Sequence, residues 1–348
     1  MDDISDRLKR LIETSGPISI AQFMAEANGH YYATRDPLGA KGDFITAPEI
    51  SQMFGELVGL WLADLWMRAG KPIVRFVELG PGRGTLAQDA LRAMRAVGLT
   101  PAPHFVEASP ILRAKQAERV PHAIWHDDVS TLPSDAPLLI VANEFFDALP
   151  VRQLVRTIAG WRERMVGYGP EGFVPVPGQT SFDRHVPDRL RGADPGGILE
   201  TSPASVTIMQ ALSERIANQG GAALVIDYGY VEHAHGDTLQ AVHAHAYADP
   251  FARPGASDLT AHVDFGVMEH AIRAGGAVPF GPAPQGAWLE TLGIRERAAN
   301  LAAASPARAE EIQTARGRLT HPDEMGELFK VLAAVSSEWP EPEGFGAA

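Results

Sequence analysis

The sequence contains no cysteine, so neither a disulfide nor a zinc site with thiolate ligands can form. Basic residues are the minority: 30 lysines and arginines stand against 43 aspartates and glutamates, for a formal net charge of −13. This balance argues against nucleic-acid binding, which relies on basic patches. No apolar run approaches the roughly 20 residues that a membrane-spanning helix needs. The first residues, MDDISDRLKR, do not resemble a signal or transit sequence, so we expect a cytoplasmic protein without membrane insertion.

What the sequence does contain is a strand, a glycine-rich loop and a helix in direct succession. Residues 73–79, IVRFVEL, are almost continuously apolar, as expected of a strand covered on both faces. Gly80, Gly82 and Gly84 follow, and apolar residues then recur at helical spacing. Such a loop lets backbone N–H groups approach a ligand, and the helix N-terminus adds a positive field.

Glu78 indicates which ligand this loop takes. A dinucleotide-binding loop reads G-x-G-x-x-G, whereas this one reads E-L-G-P-G-R-G, with an acidic residue two positions before the first glycine. A carboxylate there would repel a pyrophosphate, but it suits S-adenosylmethionine (SAM), which carries an ammonium, a sulfonium and no phosphate. The stretch therefore favours a SAM-dependent methyltransferase over an NAD-dependent dehydrogenase or a glycine-rich turn without a ligand.

Acidic residues at the ends of the next two strands extend the predicted cofactor site. Glu107 ends the second strand, a position from which a carboxylate accepts hydrogen bonds from ribose hydroxyls. Asp127 and Asp128 follow a short third strand and are candidates for binding the adenine amino group. The alternative for this pair is helix capping or a solvated turn.

A long loop upstream, residues 30–49, is interpreted as a flap that closes over the cofactor through Gly42, Asp43 and Phe44. The alternative is a surface loop packed on the following helix. The complete set of predicted cofactor-binding residues is Gly42, Asp43, Phe44, Glu78, Gly80, Pro81, Gly82, Gly84, Thr85, Glu107, Asp127, Asp128 and Asn143.

The predicted catalytic residues follow a fourth buried strand, residues 137–142. This strand leads directly into Asn143, Glu144 and, three residues later, Asp147. In open α/β sheets, ligands bind beyond the carboxyl ends of the strands, near the point where the strand order reverses. We therefore predict Glu144 and Asp147 as the catalytic pair. The alternative is that they only bind cofactor or cap the next element.

Outside this region the apolar spacing predicts helices over Ile20–Asn28, ended by Gly29, over Pro48–Arg68 and over Trp288–Ala304. The sequence pattern predicts a β-hairpin over residues 151–176, a surface loop over residues 179–195 and a helix over residues 200–218. Residues 329–335 predict a last strand, followed by a frayed tail. We divide the chain into an N-terminal helical segment with the flap (1–70), a SAM-binding Rossmann-like half (71–150), an inserted hairpin and helical lobe (151–220), and the rest of the sheet with a helical insertion (221–348).

Five histidines between positions 233 and 262 require metal binding to be considered. They lie in a segment rich in glycine, aspartate and proline, and no cysteine accompanies them. Two histidines spaced i, i+2 on a strand would point the same way, so a metal site is geometrically possible. We prefer solvated or locally hydrogen-bonded histidines and predict no metal.

Several longer motifs resemble the MidA-like methyltransferases, a family that includes a mitochondrial complex I assembly factor with protein arginine methyltransferase activity. The resemblance extends over about residues 5 to 336. The motifs are GDFITAPEISQMFGELVG, VELGPGRGTLAQDALR, VEASPILRAKQ, ANEFFDALPVRQ, ETSPA, DYGY, GDTLQA, DLTAHVDF, QGAWLETLGI and MGELFKVLA.

This resemblance implies an α/β class I methyltransferase fold: a Rossmann-like, seven-stranded, mostly parallel sheet with a reversed last hairpin. It also implies SAM as cofactor and a protein arginine, in a complex I type subunit or another protein, as methyl acceptor. Arginine is always protonated and a poor nucleophile. Carboxylates such as Glu144 and Asp147 can draw its charge onto one nitrogen, and Phe145 or Phe146 could line the arginine channel. The alternatives are a small-molecule methyltransferase on the same fold and a non-catalytic assembly chaperone.

Overall fold

The structure, a computed structural model, describes residues 4–34, 45–243 and 246–346. The α-helices are α1 (Ile4–Ser15), α2 (Ile20–Thr34), α3 (Ala47–Ile50), α4 (Gln52–Arg68), α5 (Thr85–Ala96), α6 (Pro110–Arg119), α7 (Pro203–Gln219), α8 (Phe265–Ala274), α9 (Gln285–Thr291), α10 (Ile294–Ala304) and α11 (Ala309–Thr320). The strands are β1 (Ile18–Ser19), β2 (Arg75–Leu79), β3 (Ala102–Val106), β4 (Ile124–His126), β5 (Leu138–Asn143), β6 (Arg152–Thr157), β7 (Gly160–Gly169), β8 (Gly172–Ser181), β9 (Ile198–Thr201), β10 (Gly221–Tyr230), β11 (Gln240–His243), β12 (Ala246–Ala248), β13 (Asp258–Thr260), β14 (Val263–Asp264), β15 (Val278–Pro284) and β16 (Phe329–Val335).

The chain forms two compact units. Among the residues described, unit 1 comprises those within Met1–Phe44, Asp147–Val206 and Glu232–Asp264. Unit 2 comprises those within Ile45–Phe146, Thr207–Val231 and Phe265–Ala348. The four regions predicted from the sequence stay a prediction. In the described part of the chain, no helix combines the length and the apolar character that crossing a membrane requires.

Unit 2 is built on one sheet, to which its described residues contribute seven strands. Their order across the sheet is β15-β16-β10-β5-β2-β3-β4. Strands β2, β3, β4, β5 and β10 run parallel, and β16 is antiparallel to both of its neighbours. From β2 the chain proceeds to β3 and β4 on one side, and then returns to β5 and β10 on the other. The strand order therefore reverses between β2 and β5, which is where open α/β sheets bind ligands.

The central strands of unit 2 are apolar because both faces of a parallel sheet are covered. All six residues of β5 are buried, and four of the five residues of β2 are buried. Helix α4 packs very closely on α5: a Cβ atom at Gly59 would lie 2.5 Å from the carbonyl oxygen of Ala90. Only glycine permits this approach.

Unit 1 is mainly antiparallel. One sheet has the order β1-β7-β6-β9, with β8 paired to β7, and a second sheet has the order β12-β11-β13. Apolar faces of α1 and α2 form its core, with Leu8 and Phe23 among the most deeply buried side chains.

One predicted helix boundary and two predicted helix interiors are wrong. Helix α2 does not end at Gly29 but continues to Thr34, because the fully buried Tyr31 prolongs its apolar face. The helix predicted over Pro48–Arg68 is interrupted at Ser51, whose backbone is extended and whose hydroxyl accepts a hydrogen bond from the Met53 N–H to cap α4. The helix predicted over residues 288–304 is interrupted at Gly293, which adopts φ 85° between α9 and α10.

Other predictions need correction in the β regions and at the tail. The predicted hairpin is a three-stranded meander, β6-β7-β8, that extends to Ser181 and into the predicted surface loop. Strands β9 and β15 and the strands of the histidine-rich segment were not predicted. The tail is not frayed as far as residue 346, where the described part ends: the Trp61 indole N–H donates to the Glu343 carbonyl at 2.9 Å, and the Phe345 ring lies 6.3 Å from that of Trp61. The last strand, β16, has its predicted bounds.

Candidate functional site

The glycine loop joins β2 to α5 at the point where the strand order reverses. Gly80, Gly82 and Gly84 have φ values of 58°, 53° and 80°, in the left-handed region that side chains disfavour. At Gly80 a Cβ atom would also lie 2.9 Å from the ring of Phe145. Thr85 then begins α5, and Gly84 offers no side chain to cap it. The loop therefore presents backbone groups to a ligand beside a helix N-terminus.

Glu78 is the buried acidic group of this site. Only 2% of the residue is exposed, and its Oε2 atom has no hydrogen-bond partner in the part of the chain that the structure describes. Burial raises the pKa of Glu78 to about 8, an effect that the Ala87 backbone N–H partly offsets. A carboxyl oxygen buried without a partner is costly unless a ligand supplies the donor. The ammonium of SAM is such a donor, so the residues present fit this cofactor.

Glu107 is held by a residue that the sequence analysis missed. Its Oε1 accepts a hydrogen bond from the Ser109 N–H at 2.8 Å, and its Oε2 accepts one from Gln116 Nε2 at 3.1 Å. The same Gln116 nitrogen donates to the Gly82 carbonyl at 2.8 Å. Gln116 is fully buried and thus links Glu107 to the glycine loop. Burial raises the pKa of Glu107. A single glutamine within a helix carries no sequence signal for this role.

Asp127 and Asp128, the predicted adenine ligands, have local partners. The side chain of Asp127 is 87% exposed, and its carboxylate pairs with Arg113 at 2.5 Å. Asp128 accepts a hydrogen bond from the Ser130 N–H at 2.7 Å, which lowers the pKa of the Asp128 carboxyl and caps a short helical turn. The capping alternative thus describes Asp128, and an adenine contact stays a prediction.

Asn143 and Glu144 lie at the carboxyl end of β5, next to β2 in the sheet. Glu144 has φ 50°, a strained conformation for a residue with a side chain. Its N–H donates to the Ile226 carbonyl at 2.9 Å. Its Oε1 accepts hydrogen bonds from the Ala47 N–H and from Asn143 Nδ2, each at 3.2 Å. The surroundings of β5 thus hold the Glu144 carboxylate in one place.

Asp227, at the end of β10, anchors the segment that follows Glu144. It is fully buried, and its two carboxylate oxygens accept hydrogen bonds from the N–H groups of Phe146 and Tyr228, both at 3.0 Å. The rings of Phe145 and Phe146 meet edge to face, with centroids 5.2 Å apart. Asp227 therefore helps to place an aromatic pair beside the glycine loop. The sequence analysis did not assign it a site role.

The structure places Asp147 in unit 1 and Glu144 in unit 2, so the predicted catalytic pair is divided between the units. The Asp147 carbonyl accepts a hydrogen bond from the Ala261 N–H at 3.0 Å. Burial raises the pKa of Tyr32 well above its usual value, and the negative charges of Asp258 and Asp147 raise it further. Tyr32 also donates a hydrogen bond to Asp258 at 2.8 Å. A catalytic role for Asp147 stays a prediction.

The remaining predicted residues are the flap and the histidines. Gly42, Asp43 and Phe44 lie outside the described residues. His233 pairs with Asp264, and His235 donates a hydrogen bond from Nε2 to the Leu190 carbonyl at 2.8 Å. Within residues 4–34, 45–243 and 246–346, no group of three or more potential metal-ligating side chains comes together.

Comparisons with known proteins identify the family of this chain. Residues 57–283 match a family of S-adenosyl-L-methionine-dependent methyltransferases. The mitochondrial protein arginine methyltransferase NDUFAF7 of Homo sapiens is 36% identical over 93% of this chain and 81% of its own length. The homologue of Drosophila melanogaster is 36% identical over 95% of this chain and 84% of its own length.

A solved structure from Burkholderia thailandensis, bound to S-adenosyl-homocysteine, superimposes with a TM-score of 0.84 at 29% identity. The alignment covers 99% of this chain and 93% of that one. The predicted methyltransferase fold and cofactor are thereby confirmed. The chain belongs to this family and is a SAM-dependent methyltransferase.

Proposed function

We propose that this protein transfers a methyl group from SAM to the side chain of an arginine in another protein, and that it acts in the cytoplasm. The observation that carries the proposal is the Glu144 carboxylate, fixed by the Ala47 N–H and the Asn143 amide at the carboxyl end of β5. The names of the relatives support the arginine acceptor. A subunit of the respiratory complex I type is one candidate acceptor protein.

Residues around the glycine loop would hold the cofactor. The backbone of Gly80 and Gly82 would approach it closely, Glu78 would pair with its ammonium, and Glu107 would accept hydrogen bonds from its ribose. When bound, SAM supplies a methyl group on a positively charged sulfur. Phe145 packs against Gly80 and would help to exclude water from this end of the site once the cofactor is bound.

Glu144 would prepare the arginine for attack. A carboxylate can accept two parallel N–H bonds from a guanidinium, which fixes the plane of the group. It also draws the positive charge toward the two nitrogens that it holds. The third nitrogen would then keep more of its lone pair to form a bond to the methyl carbon. The bond between that carbon and the sulfur would break with its electron pair going to sulfur, and the nitrogen would release one proton to solvent. Strained backbone conformations such as that of Glu144 cluster at functional sites, where the position of the side chain outweighs the conformational cost.

The first experiment is done in cells, because it must first identify the acceptor protein. Methylarginine profiling by mass spectrometry, with and without this protein, should reveal acceptor sites that depend on it. The purified protein and a peptide spanning such a site should then give methylarginine with labelled SAM. Glu144→Gln should reduce kcat by roughly 100-fold or more, since it removes the charge that orients the guanidinium.

The matched control is Glu310→Gln, which changes an exposed glutamate on α11. It should leave the rate unchanged. Titration calorimetry of Glu144→Gln with SAM separates lost catalysis from lost cofactor. The proposal is wrong if no arginine site depends on the protein, or if Glu144→Gln transfers methyl groups at the wild-type rate.

A further inference from the structure

We infer that Asn143, first predicted as a cofactor ligand, instead accepts a hydrogen bond from the methyl-accepting group. Its side-chain oxygen would bind an N–H of a planar acceptor that carries several N–H donors, as a guanidinium does. This inference deepens the proposed function and rests on it. It makes Asn143 a residue that selects the acceptor.

The first observation is an amide oxygen without a partner. Asn143 is 8% exposed, and none of the described residues forms a hydrogen bond with its buried Oδ1 atom. Its Nδ2 atom donates to Glu144 Oε1 at 3.2 Å. Since only the nitrogen can donate to a carboxylate, this contact sets which atom of the amide is the oxygen. The buried oxygen is therefore an acceptor that is open to a ligand.

The second observation is the position of this oxygen along the sheet. Glu78 pairs in register with Val141 of β5. Paired residues of neighbouring strands share a face, and so do residues two apart on one strand, so Asn143 lies on the same face as Glu78. It lies two residues further toward the carboxyl end, about 7 Å along the strand direction. Asn143 is thus displaced from Glu78 in the direction in which these sheets bind ligands.

The third observation is the pairing of Asn143 with Glu144. The two residues are joined by a hydrogen bond, and together they offer an amide oxygen and a carboxylate as acceptors. A guanidinium has five N–H donors in one plane, which can fill adjacent acceptors at once. A hydroxyl or thiol brings a single hydrogen and would leave one acceptor unsatisfied. The arrangement therefore favours an acceptor group with several N–H donors.

The experiment compares two substitutions at one position. Asn143→Leu has a similar size but neither the acceptor oxygen nor the N–H that donates to Glu144, whereas Asn143→Gln keeps both amide groups on a side chain one methylene longer. We expect Asn143→Leu to lower kcat/KM for an arginine peptide by roughly 10- to 100-fold, mainly through KM. Asn143→Gln should recover part of this loss. The affinity of both variants for SAM, measured by calorimetry, should stay within about twofold of wild type, since no cofactor contact is removed.

Asn300→Leu, an exposed asparagine on α10, is the control for introducing leucine, and thermal melting verifies that each variant folds. The inference is overturned if Asn143→Leu loses SAM affinity while KM for the peptide is unchanged, because Asn143 is then a cofactor ligand. It is equally overturned if neither quantity changes. If the wild-type protein binds SAM but methylates no arginine, the proposed function fails first, and the arginine donor assigned to Asn143 fails with it.

Discussion

The buried carboxyl of Glu78 should make the stability of the cofactor-free protein depend on pH. Burial places its pKa at about 8, against an ordinary value of 4.5. A raised pKa means that the folded protein favours the protonated form. The stabilising contribution is therefore complete below about pH 4.5 and is lost as the pH rises through about 8. At ~1.4 kcal/mol for each pH unit, the whole interval corresponds to about 5 kcal/mol.

Glu78→Gln isolates this contribution, because glutamine has nearly the same shape and does not titrate. Between about pH 5.5 and about pH 8.5, the wild-type free energy of unfolding should fall by about 3 kcal/mol more than that of the variant. Urea unfolding followed by circular dichroism at several pH values gives both curves. Glu310→Gln, at an exposed site, should track the wild type.

Two results would contradict this reasoning. If wild type and Glu78→Gln show parallel pH profiles of unfolding free energy, Glu78 does not titrate in this interval. If the variant binds SAM as tightly as wild type, the unpartnered oxygen does not serve the ammonium. We expect instead roughly 10- to 100-fold weaker binding at about pH 8.5, because a charge-assisted hydrogen bond is lost.

Three further predictions concern the surroundings of the site. Gln116→Leu removes the link between Glu107 and the glycine loop and should weaken SAM binding about tenfold, as calorimetry would show. Gly59→Ala forces a methyl group against the Ala90 carbonyl and should lower the free energy of unfolding by about 2 kcal/mol, measured with urea. Asp227→Asn replaces an acceptor by a donor opposite a backbone N–H and should lower kcat/KM about tenfold, with unchanged SAM affinity, in steady-state assays.

Local sequence signals predicted the parts of the fold that depend on neighbouring residues. The succession of β2, the glycine loop and α5 follows from apolar runs and glycine spacing alone. The start of α6 also follows a local rule: Ser109 caps the helix, and Pro110 lies in its first turn. The cofactor could therefore be inferred from a short stretch, whereas the methyltransferase fold was implied by the resemblance over most of the chain, and the comparisons confirm both.

What could not be predicted depends on contacts between distant residues. Gly29 continues a helix because Tyr31 is buried in the core of unit 1. The three prolines in the sequence of β15 predict a loop. The strand nevertheless forms, because prolines are tolerated at the edge of a sheet, where β15 lies. Gln116 and Asp227 act through backbone groups 34 and 81 residues away, so no spacing rule reveals them.

The left-handed backbone of Glu144 implies a conflict between folding and chemistry at that position. Glycine would adopt φ 50° without strain, so Glu144→Gly should relieve about 1 kcal/mol of conformational cost. It would also remove the carboxylate and its link to Asn143. If Glu144→Gly resists denaturant better but no longer methylates, natural selection has retained a glutamate whose backbone conformation costs stability.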